Sequence, residues 1–206
     1  KFELTPEYSR REFIKKLNKL FDFAIQEPLF SPDGSKIAYA KDNNLYVYDI
    51  ASKQTKQITT DGKKNHIING ITDWVYEEEF AFVRAFDWSA DSKKVAYIRF
   101  DETLVPEFSM AVYKKDLYPK IETFKYPKAG EKNAIVSLHI YDVNSNAKKD
   151  VNLGNYNDFY IARMKWTNDA NVLSAQILNR HQDNLDLLFI DGNSGTANVV
   201  LNEKDK

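Results

Sequence analysis

One pattern occurs three times along this chain, and it confines the fold more than any other feature. Phe30-Ser31-Pro32-Asp33-Gly34-Ser35-Lys36-Ile37-Ala38-Tyr39 is a polar turn followed by an apolar strand. Trp88-Ser89-Ala90-Asp91-Ser92-Lys93-Lys94-Val95-Ala96-Tyr97 repeats it, and Trp166-Thr167-Asn168-Asp169-Ala170-Asn171-Val172-Leu173 repeats it more weakly. In each copy an aromatic residue ends one strand. A Ser or Thr follows, with Asp two residues later. Such short polar side chains bond nearby backbone, and Pro or Gly supplies turn geometry, so each copy reads as a hairpin turn.

A second apolar run follows each turn and ends at an aspartate: Leu45-Tyr46-Val47-Tyr48-Asp49, Leu138-His139-Ile140-Tyr141-Asp142 and Leu187-Leu188-Phe189-Ile190-Asp191. Ser52, Ser145 and Ser194 stand three residues beyond these aspartates. Further strands are expected to start near Gln57, Val151 and Val199. Each unit therefore supplies about four antiparallel strands, the grammar of a β-propeller blade. Twelve Tyr and thirteen Phe favour strands in the same sense. The fold class expected is all-β: part of a β-propeller, with three to four blades present. The uneven spacing of the copies marks residues 59–87 and 100–134 as insertions. Closed propellers have typically 4–8 blades, so residues 1–206 read as a fragment of a propeller domain. Residues 1–28 stand apart. Phe13, Ile14, Leu17, Leu20 and Phe21 recur at helical spacing, which predicts a short amphipathic helix.

The acidic run Asp73-Trp74-Val75-Tyr76-Glu77-Glu78-Glu79-Phe80 breaks the strand pattern. Three consecutive carboxylates are bracketed by large apolar side chains that look anchored. Neighbouring fixed carboxylates repel one another unless a cation sits between them. An ammonium, with three donors and no acceptor, is the simplest complement. Two adjacent side chains point to opposite faces of a strand, so convergence on one ligand predicts a short helix or turn over about residues 75–80. The plain alternative is a solvated acidic turn between strands.

Other chemistry is sparse. The histidines His66, His139 and His181 lack metal-ligand spacing and read as structural or solvated. No Gly-x-Ser-x-Gly elbow is present, and no phosphate-binding glycine loop. No cofactor or metal is called for. A net charge of −1, with basic residues scattered, offers no nucleic-acid platform. Without cysteine there is neither a disulfide nor a catalytic thiol. No apolar run approaches the ~18 residues of a membrane span.

Asp73–Glu79 resembles the glutamate signature in the propeller of the dipeptidyl peptidase IV family of serine peptidases. Its flank Asn69-Gly70-Ile71-Thr72 is similar, as are Ala96–Thr103, Val105-Pro106-Glu107, Tyr126-Pro127-Lys128-Ala129-Gly130 and Leu178-Asn179-Arg180-His181-Gln182. The resemblance covers about residues 29–203 and points to bacterial, Bacteroidetes-like members. It implies an eight-bladed propeller joined to an α/β-hydrolase domain that lies outside this chain and carries the catalytic Ser, Asp and His. It implies release of dipeptides from peptide N-termini, with Pro or Ala preferred second. In that pattern Glu78 and Glu79 hold the substrate α-ammonium, with Glu77 a further candidate contact. Either Arg10 or Arg11 matches a substrate-side arginine. The resemblance also implies a homodimer, to which an arm over residues 108–130 contributes, and a periplasmic or secreted location. The competing class is a non-catalytic propeller serving as a protein-interaction module, which the repeat alone does not separate from the first.

Overall fold

The computed structural model describes residues 24–205 together with Lys15 and Lys19. Lys15 and Lys19 are helical, while Phe13, Ile14, Leu17, Leu20 and Phe21 of the expected helix lie outside the described residues. Three antiparallel sheets follow in chain order. The first runs β1 (Gln26–Phe30), β2 (Lys36–Lys41), β3 (Asn44–Asp49) and β4 (Gln54–Gln57), paired in that order. The second begins with β5 (Ile67–Asn69), β6 (Phe86–Trp88) and β7 (Lys94–Asp101). A two-stranded ribbon interrupts it, β8 (Glu107–Val112) with β9 (Lys120–Lys125), before β10 (Ile135–Asp142) and β11 (Lys148–Asp150) complete it. The third runs β12 (Phe159–Trp166), β13 (Val172–Asn179), β14 (Asn184–Asp191) and β15 (Ala197–Lys204). These are three blades of a β-propeller.

The repeated polar residues act as the sequence predicts. The Ser31 hydroxyl donates to Asp33 Oδ1 at 2.6 Å, Ser35 N–H donates to the same oxygen at 2.9 Å, and Gly34 takes φ +71°. These donors hold the Asp33 carboxyl well below the usual carboxylate range. Ser89 and Asp91 repeat the bond at 2.7 Å, with Ser92 at φ +62° in the glycine's place. Downstream, Ser52, Ser145 and Ser194 donate backbone N–H bonds to Asp49, Asp142 and Asp191 at 2.8, 2.8 and 2.6 Å. Ile37, Val95 and Leu173 all sit in the second strand position of their blades.

The core lies between blades. Strand β7 is buried on both faces, so its residues alternate between two neighbours. Val95 and Tyr97 pack with Ala38, Leu45 and Val47 of the first blade. Ala96, Ile98 and Phe100 pack with Leu173, Ala175 and Ile177 of the third.

Two expectations need correction. The outer strands start at Gln54, Lys148 and Ala197, ahead of Gln57, Val151 and Val199. They are solvated edges whose first residues carry little apolar signal. Residues 59–87 are also more than an insertion, because they hold the inner strand of the second blade, split in two. Strand β5 pairs with Arg99–Asp101 and β6 with Val95–Tyr97, both antiparallel to β7. The break falls opposite Ile98. Gly70 N–H donates to the Ile98 carbonyl at 3.1 Å, and Ile98 N–H donates to the Ala85 carbonyl at 2.9 Å. Ala85 N–H donates to the Gly70 carbonyl at 3.0 Å and closes the neck. Between these lips the chain makes an excursion over residues 70–85.

Candidate functional site

The excursion carries the acidic run. Its one helix, α1 (Trp74–Glu78), lies within a residue or two of the expected 75–80. Asp73 starts it in extended backbone, and its carboxylate accepts from Tyr76 N–H at 3.1 Å, a helix N-cap. Asp73 is buried, and that burial pushes its carboxyl up to about 6. Thr72 Oγ1 donates to the Phe82 carbonyl at 3.0 Å and closes the loop. Ala81 holds the reversal with φ +55°, a conformation uncommon for a residue with a side chain.

The apolar half of the helix is anchored. Val75 and Tyr76 are buried. The Tyr76 ring meets Phe100 at 4.8 Å, Phe80 at 5.0 Å and Phe82 at 5.8 Å between centroids. Trp74 packs edge-on against Tyr126 at 4.3 Å, which ties the helix to the base of the β8–β9 ribbon. Glu77, Glu78 and Glu79 are all exposed. Within one helical turn they project as neighbours rather than to opposite faces. Among the described residues, none donates a hydrogen bond to their carboxylates or pairs with them. Such a group of carboxylates, without a partner among the described residues and on a turn that the core holds fixed, has the chemistry to accept a cation.

The three are not equivalent. Glu77 borders a cavity of ≈ 270 Å³ beside the ribbon, lined also by Asp73, Trp74, Glu102, Phe124 and Lys125. Glu78 and Glu79 do not line it. Glu102 is buried there, and its carboxyl is pushed up to about 7, first by burial and then by the charge of Asp73. Lys125 reaches in from β9 and donates to the Val105 carbonyl at 2.8 Å. Glu102 carries no sequence signal of its own. Asp73 does, as an Asp directly before an apolar helical run.

Arg10 and Arg11 lie outside the described residues. His139 is buried and structural: it donates from Nδ1 to Asp150 at 2.7 Å and accepts from the Ser137 hydroxyl at 2.8 Å. Burial holds its pKa below the usual value, so the ring stays neutral. His66 directly precedes β5, and His181 lies in the turn between β13 and β14. Among the described residues no group of three or more His, Cys, Asp or Glu side chains is arranged to hold a metal ion. No described helix is long and apolar enough to cross a membrane.

The model of the dipeptidyl peptidase IV (DPP IV) N-terminal region matches residues 7–206. This chain belongs to the dipeptidyl peptidase IV family. It falls in the N-terminal region of that family's proteins. The probable dipeptidyl-aminopeptidase B of Talaromyces stipitatus is 37% identical over 191 residues, covering 85% of this chain and 21% of the relative. The dipeptidyl aminopeptidase B of Saccharomyces cerevisiae is 36% identical over 182 residues, covering 85% and 22%. Among solved structures, Porphyromonas gingivalis dipeptidyl peptidase 4 superposes with a TM-score of 0.85 at 42% identity, over 88% of this chain and 26% of that one. A putative dipeptidyl aminopeptidase IV from Bacteroides ovatus gives a TM-score of 0.73 at 24% identity, over 88% and 24%, and supports the fold alone. This DPP IV-family chain thus spans about a fifth to a quarter of the length of the relatives it matches.

Proposed function

We propose that this chain is the substrate-recognition region of a serine dipeptidyl peptidase, in which Glu78 and Glu79 anchor the peptide's α-ammonium and Glu77 flanks them. The observation that carries the reading is the set of carboxylates on a rigidly packed helical turn that have no partner among the described residues. An exopeptidase must measure distance from the free N-terminus, and the α-ammonium is the one group found only there. Charge-assisted hydrogen bonds from it to two carboxylates contribute about 1.5–3 kcal/mol each. They also fix where the scissile bond lies, so their loss weakens transition-state binding although neither glutamate touches that bond. The amine binds protonated, so affinity declines as pH rises past the α-amino pKa of about 8.

In this proposal the hydrolysis itself belongs to an α/β-hydrolase domain of the full-length protein, the products are N-terminal X-Pro or X-Ala dipeptides, and this chain alone is inactive. The ribbon β8–β9 exposes Met110, Tyr113, Leu117, Tyr118 and Ile121. An apolar arm of this kind suits a homodimer contact in the full-length protein. A periplasmic or secreted location accords with an enzyme acting on peptides outside the cytoplasm. The test is Glu78→Gln and Glu79→Gln in the full-length protein, assayed with a dipeptidyl chromogenic substrate. Each is expected to lower kcat/KM by tenfold or more, equivalent to at least ~1.4 kcal/mol. If both variants stay within about threefold of wild type, the anchor role is wrong, and the propeller reverts to a binding scaffold with a solvated acidic turn.

A further inference from the structure

Strand β12 is the edge of its sheet, paired on one side only, with β13. Half of an edge strand's N–H groups therefore face away from the ladder and need other partners. Two of them are met by side chains from the second blade. Ile161 N–H donates to the Tyr76 hydroxyl at 2.9 Å, wholly within the core. Trp166 N–H donates to Asp87 Oδ2 at 3.0 Å. Between these two points β12 carries an irregularity: Ile161 faces Ile177 while Arg163 faces Gln176, so Ala162 is an extra residue in the ladder. Tyr76 thus bonds β12 beside its bulge, where the strand's course changes.

The residue that reaches across belongs to α1, with the acidic residues directly after it. Tyr76 is 2% exposed, and among the described residues its hydroxyl has one partner, 85 residues away in sequence. The ring stack with Phe80, Phe82, Phe100 and Tyr160 confines the ring, but an aromatic stack is tolerant of sliding and small rotations. A hydrogen bond at the far end of the ring is directional. It fixes how far the helix sits from β12 and how it is turned about its own axis. The rotation matters because Glu78 and the C-cap Glu79 follow within one turn, about 200° and 300° round the helix from Tyr76, so turning the helix about its axis swings both.

We propose that Tyr76 is a positioning residue for the ammonium anchor, holding α1 in register with the third blade through the Ile161 N–H. This rests on the reading of Glu78 and Glu79 given above. Tyr76 does not touch substrate. It determines where the two carboxylates stand relative to the rest of the propeller, and so where the substrate's second residue and scissile bond fall.

The test is Tyr76→Phe in the full-length protein, which removes one oxygen and keeps the ring. Two rates are measured: kcat/KM for glycyl-prolyl p-nitroanilide, and the rate of inactivation by diisopropyl fluorophosphate, which needs a reactive serine and no ammonium. The variant is expected to lose on the order of tenfold to a hundredfold in kcat/KM, while its inactivation rate stays within twofold of wild type. Asp87→Ala removes the second of these hydrogen bonds to β12, which comes from β6 and not from α1, and is expected to leave kcat/KM within about threefold. A parallel fall in both rates for Tyr76→Phe means a general loss of folded enzyme and overturns the proposal. An unchanged kcat/KM for Tyr76→Phe, with Glu78→Gln and Glu79→Gln impaired, overturns the positioning role and leaves the anchor standing. Unimpaired glutamate variants remove the anchor, and the positioning role with it.

Discussion

Asp73→Asn isolates the energetic consequence of starting α1 with a buried carboxyl. The side chain is 7% exposed and its pKa is pushed up to about 6, against 3.8 for an ordinary aspartate. At 1.36 kcal/mol per pH unit the gap corresponds to about 3 kcal/mol. The folded state keeps the proton to a higher pH than the unfolded chain does. Stability from this group is therefore full below about pH 3.8 and falls as pH rises through about 6. Asparagine caps a helix about as well as aspartate and cannot ionise. The variant should therefore be more stable than wild type at pH 8, by about 1–3 kcal/mol, with an advantage that shrinks steadily as the buffer is taken to pH 4.5. Urea unfolding of the full-length protein followed by tryptophan fluorescence measures this, since Trp74 adjoins the substituted residue. An equal midpoint at pH 8, or an advantage of the same size at both pH values, would show that burial does not govern this carboxyl.

Gly70→Ala tests the neck of the excursion. At φ +76° a Cβ is strained, and it would stand 2.9 Å from Leu45 Cδ1 and 3.3 Å from Phe86 Cδ1, so a loss of about 2 kcal/mol in stability is expected in the same unfolding assay. Replacing Tyr113, Leu117 and Tyr118, all exposed in this chain, together by Ser tests the proposed arm contact: if the arm holds a homodimer, the full-length variant sediments as a monomer at concentrations where the unsubstituted protein sediments as a dimer, and an unchanged sedimentation coefficient refutes the contact.

The blades were legible because their turns are written in local chemistry. Ser31-x-Asp33 and Ser89-x-Asp91 fold on themselves, and Asp49, Asp142 and Asp191 each accept an N–H from the serine three residues on. The helix was expected on another ground, that adjacent glutamates can meet one ligand only from a helix or turn; its local causes, Asp73 as cap and Val75 and Tyr76 as buried side, are seen in the structure. What could not be read were the non-local facts. That β5 and β6 are halves of one strand is visible only in their shared partner β7, since neither three-residue piece has a period of its own. The Tyr76 bond spans 85 residues, and Glu102 comes to lie near Asp73 only because β7 ends beside the start of α1. The outer strands were placed too late because Gln54–Gln57 and Lys148–Asp150 are wholly polar.

The broken inner strand has a consequence for how this site can change. Strand β7 works as a splint: it stays whole and holds the two broken ends in line, and Ile98 is bonded to both lips at the fracture. The blade thus loses no ladder continuity to the excursion. Residues within the loop can be exchanged, lengthened or shortened without shifting the register of the sheet. A substitution that frays β7 at Ile98 has the opposite reach, because it loosens both ends of the loop at once and moves all three glutamates without touching any of them.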